Sequence, residues 1–280
     1  MSDETAHISF ADHRPTKRLG QNFLRDPGII RKIVNALSPA NGETIVEIGP
    51  GKGALTAELV QQAARVIAIE FDRNLVPLLN ERFAAHHNFR LLQADALETD
   101  ICALIQPATT ARLVANLPYN ISTAILQRLI AQRHCLQEMV VMLQKEVVER
   151  IQAPAGSSER GYLSVVVEAY CETEKLFDVP PGSFQPRPKV WSTVARLRFH
   201  PQIGVEVKNE QLLWAVVSAG FRQKRKTILN NLRNATDMLQ EIIKQNGGAS
   251  IVLCNAGVEL QRRAESLTLQ EWARIVRAME

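Results

Sequence analysis

Short apolar runs alternate along the first 200 residues with segments in which apolar residues recur at helical spacing. Runs of strand length occupy residues 44–48, 65–69, 89–93, 112–115 and 138–143. Helical spacing is found over residues 29–37, 55–64 and 72–83. Strands that alternate with helices in this way indicate an α/β fold built on a mainly parallel sheet.

Local signals set the ends of some of these elements. Asp26-Pro27 is predicted to begin a helix, because an aspartate cap followed by proline suits the first helical turn. Two valine-rich, alternating runs at residues 163–171 and 190–199 are predicted to be strands that close a sheet of seven. The pattern then turns helical to the end. We therefore predict an α/β domain over residues 1–204 and a small all-helical domain over residues 205–280.

Composition and cysteine spacing predict the cellular compartment. Hydrophobic residues make up 46% of the chain, and no apolar run approaches the ~18 residues of a spanning helix. The polar start, Met1 to Thr5, does not resemble a secretion signal. The four cysteines are widely spaced and form no Cys-x-x-Cys pair, which argues against a disulfide scaffold and against a zinc cluster. We expect a soluble protein of a reducing cytoplasm, with no bound metal.

The basic residues are unevenly distributed. Residues 205–280 carry +3 of the net charge of +4. No acid occurs from residue 211 to residue 236, and a second acid-free, basic stretch covers residues 179–205. The densest cluster comprises Arg222, Lys224, Arg225 and Lys226. A basic run is usually a solvated surface, but two acid-free stretches favour a polyanionic partner.

A glycine-rich segment follows the first predicted strand. Residues 47–53 read Glu-Ile-Gly-Pro-Gly-Lys-Gly, and glycines let the backbone turn sharply and approach a ligand closely. Glu70 ends the next strand, where a carboxylate can accept hydrogen bonds from a ribose diol; a plain polar strand end is the less favoured alternative. Asp95 ends the third strand, within reach of an adenine amino group. The pattern predicts an adenosine-containing ligand.

The loop alone does not choose between S-adenosylmethionine (SAM) and a nicotinamide dinucleotide. Gly49-x-Gly51-x-x-Ala54 satisfies the dinucleotide pattern. Two phosphates at a helix N-terminus, however, usually need a longer and less obstructed loop, and the acid Glu47 suits a cationic sulfonium better than a pyrophosphate. A dehydrogenase also needs a proton-exchanging group, and no histidine directly follows any of the five strands predicted before residue 150. The sequence favours SAM as the ligand, and a nicotinamide dehydrogenase remains the alternative.

Residues 116–119, Asn-Leu-Pro-Tyr, follow the fourth strand at the sheet edge where open α/β folds bind ligands. They could form an ordinary turn. Beside a SAM site they have a chemical use, because the lone pair of adenine's exocyclic amine is delocalised into the ring. If the Asn116 side-chain oxygen and the Leu117 carbonyl each accept one N–H, the nitrogen can pyramidalise, while Tyr119 stacks on the base. We therefore hypothesise methylation of adenine N6.

Two further segments complete a family resemblance. Residues 20–24 read Gly-Gln-Asn-Phe-Leu, and residues 184–190 read Phe-Gln-Pro-Arg-Pro-Lys-Val. With residues 47–53 and 116–119, they make the chain resemble the bacterial KsgA (RsmA) ribosomal RNA adenine dimethyltransferases, which are Rossmann-like class I methyltransferases. The resemblance extends from about residue 17 to the end.

The resemblance implies roles for particular residues. SAM contacts are implied at Asn22, Leu24, Gly49, Glu70, Asp95 and Asn116. Catalytic roles fall to Asn116, Leu117 and Tyr119, and Phe184 is implied to stack on the target adenine opposite Tyr119. The four clustered basic residues are expected to bind RNA phosphates, which gives affinity with little sequence information.

The activity implied by the resemblance is transfer of four methyl groups from SAM to two adjacent adenines near the 3′ end of 16S rRNA. The substrate would be the assembling 30S subunit, with a role in its biogenesis; we expect a monomer without membrane partners. Residues 221–232 are similar to the small-subunit enzymes rather than to the erythromycin-resistance methyltransferases of 23S rRNA. Those resistance enzymes and a non-catalytic assembly factor are the alternatives.

Overall fold

The protein is described here by a computed structural model that covers residues 14–63, 65–200 and 202–280. The polar N-terminal pentapeptide discussed above lies outside these residues. Among the described residues, every helix is too short or too polar to span a bilayer.

Contacts within the chain group it into two compact units. The first comprises Met1–Val148 with Thr173–Phe199, and the second comprises Glu149–Glu172 with His200–Glu280. The break at Phe199 lies close to the predicted boundary after residue 204. Residues 149–172, however, group with the helical unit, although the sequence had assigned them to the α/β domain.

Strands and helices alternate through the first unit. The described strands are Phe23–Leu24 (β1), Thr44–Ile48 (β2), Arg65–Glu70 (β3), Phe89–Gln93 (β4), Ala111–Asn116 (β5), Leu136–Gln144 (β6), Cys171–Val179 (β7), Phe184–Gln185 (β8) and Ser192–Phe199 (β9). The helices that begin before residue 150 are Pro27–Leu37 (α1), Ala54–Leu59 (α2), Val76–Arg82 (α3), Ile101–Leu104 (α4), Ser122–Ala131 (α5) and Lys145–Ile151 (α6). The strands predicted at residues 44–48 and 89–93 are confirmed to the residue.

Seven strands form one sheet in the order β4-β3-β2-β5-β6-β9-β7. β2 pairs in parallel with β3 and with β5, β3 pairs in parallel with β4, and β5 with β6, whereas β9 runs antiparallel to β6. The predicted mainly parallel, seven-stranded sheet is thus confirmed. Because β2, β3, β4 and β5 point the same way, their carboxyl ends meet at one edge.

The entry to α1 follows the predicted capping pattern. Asp26 is the N-cap, and its Oδ1 accepts hydrogen bonds from the backbone nitrogens of Gly28 (2.8 Å) and Ile29 (3.1 Å). These bonds satisfy donors that the first turn otherwise leaves without a partner. α1 then buries Ile33, Val34 and Leu37 in the core of this unit.

The second unit is helical. Its further helices are Tyr162–Tyr170 (α7), Glu210–Phe221 (α8), Ile228–Arg233 (α9), Asp237–Gln245 (α10), Ala249–Asn255 (α11) and Leu269–Arg277 (α12). Trp272 is fully buried, and its ring lies 5.8 Å from the Phe221 ring. The predicted helical character of residues 205–280 is confirmed.

The strand predicted at residues 163–171 is wrong. Residues 162–170 form α7, which packs against α8 and α12, and the sheet strand β7 begins only at Cys171. Most residues of α7 are buried, including Val165 and Val167. A helix that is buried on nearly all sides lacks the polar face that marks an amphipathic helix. Its run of valines therefore matches the pattern expected of a buried strand.

The cysteines also depart from expectation. Cys102 in α4 and Cys135 just before β6 are joined by a disulfide, which involves neither Cys171 nor Cys254. The pair is 33 residues apart in sequence, and the fold brings them together by placing α4 against the turn before β6, where the Ile101 nitrogen donates to the Gln132 side chain. Sequence spacing carried no signal of this.

Candidate active site

The glycine loop opens a space at the end of β2. Gly49, Gly51 and Gly53 all have positive φ values, between 58° and 75°. A Cβ placed on Gly49 would meet nothing closer than the Asn116 carbonyl oxygen, at 3.9 Å. The left-handed backbone at Gly49 therefore lies against open room, as expected of a loop that cradles a ligand.

Glu70 sits at the end of β3 with both carboxylate oxygens engaged. Oε2 accepts a hydrogen bond from the Gly51 nitrogen (3.1 Å), and Oε1 accepts one from the Asp72 nitrogen (2.8 Å). Burial raises the pKa of Glu70, and the charge of Asp72 adds to that, while the two backbone bonds oppose it. The carboxylate thus ties the glycine loop to the next strand and keeps lone pairs for a ligand hydroxyl.

Glu47 lies beneath the loop and does not line the cavity. It is 1% exposed, and the Thr56 hydroxyl donates to its Oε2 at 2.6 Å. Burial raises the pKa of Glu47 to about 7, and the nearby charge of Glu70 also raises it, against the Thr56 bond. The sequence argument that Glu47 meets a cationic ligand directly is therefore not supported by its position.

The Asn-Leu-Pro-Tyr segment presents oxygen atoms to the cavity. Asn116 ends β5, and its Nδ2 donates to the Asn22 carbonyl oxygen at 3.0 Å, which fixes the amide and frees Oδ1. The Leu117 nitrogen donates to the Met142 carbonyl at 3.2 Å, and no described residue donates to the Leu117 carbonyl oxygen. Two acceptors are thus held at the end of one strand.

Tyr119 is held by a residue of the closing strand. Its hydroxyl and the Ser192 hydroxyl are 2.6 Å apart, and Ser192 is buried at the start of β9. Burial raises the pKa of Tyr119, and the Ser192 bond only partly opposes this, so the phenol stays neutral near pH 7. The aromatic ring is therefore a fixed, uncharged surface.

These elements surround a cavity of about 270 Å³ at the carboxyl edge of the sheet. The predicted site residues that line it are Asn22, Gly49, Glu70, Asp95, Asn116, Leu117 and Tyr119. Asp95 is partly buried, and its Oδ1 accepts from the Leu97 nitrogen at 2.8 Å. The structure thus brings together seven predicted positions from five segments that are far apart in sequence.

Two predicted residues, Leu24 and Phe184, do not line this cavity. They face each other in the short antiparallel pair of β1 and β8, and both are buried in the hydrophobic core. Phe184 is only 5% exposed, which leaves its ring little surface for a base. Its stacking role stays a prediction, and the structure gives it a packing role beside the site.

Two exposed aromatic residues were missed by the sequence reasoning. Phe71 follows Glu70, is 55% exposed and lines the cavity, where its ring can stack on a base. The sequence could have indicated Phe71 as a site residue, because it comes directly after Glu70, the acid that ends the strand. Trp191 is 51% exposed and precedes Ser192, the partner of Tyr119. Nothing in the sequence distinguished Trp191 from a core tryptophan.

The basic cluster lies in the second unit, in a turn between α8 and α9. Arg222, Lys224, Arg225 and Lys226 are all exposed. The buried Asn231 supports this turn, because its Nδ2 donates to the carbonyls of Gly220 (2.6 Å) and Gln223 (3.1 Å). All four cations are thus open to solvent, and they lie on a turn between two helices.

Comparison with known proteins places this site in a family. The sequence profile described as "Ribosomal RNA adenine dimethylase" matches residues 12–275. The chain belongs to the ribosomal RNA adenine dimethylase family. It is 41% identical over 271 residues to "Ribosomal RNA small subunit methyltransferase A" of Hahella chejuensis, covering 96% of this chain and 94% of that one. It is 44% identical over 270 residues to the protein of the same name from Methylococcus capsulatus, covering 95% and 98%.

Solved structures agree with this assignment. A dimethyladenosine transferase from Plasmodium falciparum is similar with a TM-score of 0.76 and 25% identity, over 90% of this chain and 95% of that one. The 23S rRNA methyltransferase ErmE is similar with a TM-score of 0.67 and 25% identity, over 92% and 99%. The dimethylase is thus a SAM-dependent rRNA adenine methyltransferase with a Rossmann-like fold, and the nicotinamide alternative is wrong.

The cavity of this dimethylase fits SAM in its chemistry. Glu70 offers carboxylate lone pairs for a ribose diol, and Gly49 leaves room where a side chain would intrude. Asp95 and Phe71 line the same space with an acceptor and an aromatic surface, the two features that an adenine ring uses. These residues would hold the adenosine half of the molecule.

We expect Gly49→Ala to weaken SAM binding at least about tenfold, because its Cβ would enter ligand space. Gly42→Ala is the matched control, since Gly42 also has a positive φ (98°) but lies exposed with nothing within 4 Å. Both variants should lose a similar ~1 kcal/mol of stability through backbone strain. Calorimetric titration with SAM should separate them, and equal affinities for the two variants would contradict the assignment.

The raised pKa of Glu47 predicts a pH-dependent effect of Glu47→Gln. Between pH 4.5 and about 7 the folded protein holds a proton that the unfolded chain releases, so wild-type stability falls as the pH rises through this interval. Glutamine cannot lose a proton and can still accept from Thr56. We expect the variant to gain up to about 3 kcal/mol over wild type between about pH 5 and about pH 8. Urea unfolding without SAM measures this; a pH-independent difference would contradict it.

Proposed function

We propose that this enzyme dimethylates N6 of two adjacent adenines near the 3′ end of 16S rRNA in the assembling 30S subunit. The observation that carries the proposal is the pair of fixed acceptors, Asn116 Oδ1 and the Leu117 carbonyl, beside Tyr119 in a cavity suited to SAM. The names of the relatives from Hahella chejuensis and Methylococcus capsulatus, both small-subunit methyltransferases, support the choice of RNA.

Bound SAM supplies an electrophilic methyl group on a sulfonium centre. Asn116 and Leu117 bind the two N–H groups of the target amine, and this draws the nitrogen out of conjugation with the ring. The hydrogen bond from Asn116 to the Asn22 carbonyl keeps the amide from presenting its nitrogen instead of its oxygen. No strong base is required before transfer, because the amine proton becomes acidic only after methylation, so positioning provides most of the rate.

Tyr119 orients the target base. Its ring offers an apolar face, and the bond to Ser192 keeps that ring from rotating away. The target adenine must leave its stack to enter the cavity, and stacking on Tyr119 offsets part of that cost. Trp191, exposed one residue before Ser192, offers a further aromatic surface for a neighbouring base.

The basic turn at residues 222–226 supplies affinity for the RNA. Its exposed cations suit phosphate groups, which position an RNA without identifying its sequence. The choice of two particular adenines then depends on the shape of the RNA within the particle. We propose that the enzyme acts as a monomer in the cytoplasm and takes part in subunit biogenesis.

The test of function is radiolabelled methyl transfer from SAM to unmethylated 30S particles, naked 16S rRNA and 23S rRNA. We expect dimethyladenosine in the particles only. Asn116→Ala should lose about 10²–10³-fold in transfer rate at saturating SAM, since it removes an acceptor used in the transition state. Label on 23S rRNA would instead support a resistance-type enzyme, and no label with intact SAM binding would support a non-catalytic assembly factor.

Neutralising the basic turn should weaken RNA binding without altering the cofactor site. For the triple variant Lys224→Gln, Arg225→Gln and Lys226→Gln, we expect the slope of log K for RNA binding against log salt concentration to become shallower by about 2–3. Lys244→Gln, an exposed lysine of α10, is the control and should change the slope little. Filter binding across a salt series measures both. An unchanged slope in the triple variant would place the RNA surface elsewhere.

A further inference from the structure

Two cysteines and a histidine converge in the first unit, apart from the methyl-transfer cavity. Cys102 lies in α4, and Cys135 ends the short 3₁₀ turn Arg133–Cys135 that leads into β6. Their Cα atoms are 5.5 Å apart. The Sγ atoms of Cys102 and Cys135 and a ring nitrogen of His134 all lie within 4.8 Å of one another. None of the three lines the cavity.

The two sulfurs differ in accessibility. Cys135 is 3% exposed, whereas Cys102 is partly exposed and His134 is exposed. Nε2 of His134 lies 3.1 Å from Sγ of Cys102. The Gln132 carbonyl oxygen lies 3.3 Å from Sγ of Cys135 and can accept a hydrogen bond from that thiol when the pair is reduced. One sulfur is thus open to reagents beside an imidazole, and the other is sheltered.

We propose that Cys102, His134 and Cys135 form a thiol–disulfide exchange site that takes small disulfides of the glutathione class. This rests on the proposed cytoplasmic location, because a disulfide in a reducing compartment is typically formed and broken rather than permanent. A histidine beside a cysteine stabilises the thiolate, the form that attacks disulfides. Cys102 is therefore the attacking sulfur, and Cys135 is the resolving one.

The exchange balances in two steps. The Cys102 thiolate attacks one sulfur of the oxidant, forms a mixed disulfide with it and expels the other half as a thiolate. The Cys135 thiolate then attacks the Cys102 sulfur, closes the protein disulfide and expels the second half. Two protein thiols are oxidised and one small disulfide is reduced to two thiols, with His134 placed to hold the proton of the Cys102 thiol.

The other cysteines lack these features. Cys171 is buried, and Cys254 is exposed without a cysteine partner. A Cys254→Ser background therefore removes a competing exposed thiol and leaves the proposed site intact. Methyl transfer is not the readout, so failure of this proposal and failure of the proposed rRNA activity are distinguishable.

The experiment uses the full chain in that background, reduced with a dithiol, freed of reductant and then treated with oxidised glutathione. Intact-mass measurement should show loss of two hydrogens without a lasting adduct. Cys135→Ser should instead accumulate one glutathione on Cys102, because the resolving sulfur is missing. Cys102→Ser should stay largely unmodified, because its remaining thiols, Cys135 and Cys171, are both buried.

His134→Gln tests the role of the imidazole. We expect it to slow adduct formation in the Cys135→Ser protein about tenfold at neutral pH, with unchanged thermal unfolding. Equal adduct formation on Cys102→Ser and Cys135→Ser, or no effect of His134→Gln, would overturn the assignment. So would a tight one-to-one Zn²⁺ complex of the reduced protein that blocks exchange, since the cluster would then be a metal site.

Discussion

The parallel pairing of β2 with β3 and β5 is the constraint on which the candidate site depends. Ile48 is in register with Ile69 on one side and Ala115 on the other, so the next residue of each strand emerges at the same edge. Gly49, Glu70 and Asn116 occupy those three positions. The strand register therefore sets the separations between a carboxylate, an open turn and an amide, so these separations do not depend on the conformation of a long loop.

Electrostatic cost is concentrated beneath the same edge. Glu47 and Glu70 are both buried; burial raises the pKa of each, and the charge of Glu70 further raises the pKa of Glu47. Backbone donors from Gly51 and Asp72 stabilise the Glu70 charge, whereas Glu47 has a single hydroxyl donor, from Thr56. The backbone donors thus favour the charged form of the carboxylate that lines the cavity, whereas the hidden Glu47 retains its proton up to about pH 7.

The sequence predicted those parts of the fold whose signal is local. Strand runs such as residues 44–48, the Asp26 cap and the glycine loop all depend on neighbours in sequence, and the structure contains them. Residues 163–171 were misread because a fully buried helix lacks the polar face that marks a helix. The core position of Phe184 and the Cys102–Cys135 pair depend on which distant elements pack together. Such long-range packing cannot be predicted from the local patterns of one sequence.

The fixed geometry of the two acceptors bears on how one cavity can methylate the same nitrogen twice. After the first transfer the amine has one N–H left, so either Asn116 Oδ1 or the Leu117 carbonyl loses its donor. The Asn116 amide is held by its bond to the Asn22 carbonyl, and the Leu117 carbonyl is part of the backbone, so neither oxygen can easily turn aside. The remaining bond still orients the amine, but the transition-state stabilisation of the lost bond is absent from the second transfer. The second transfer therefore needs room for a methyl group in place of one N–H and proceeds with one acceptor instead of two.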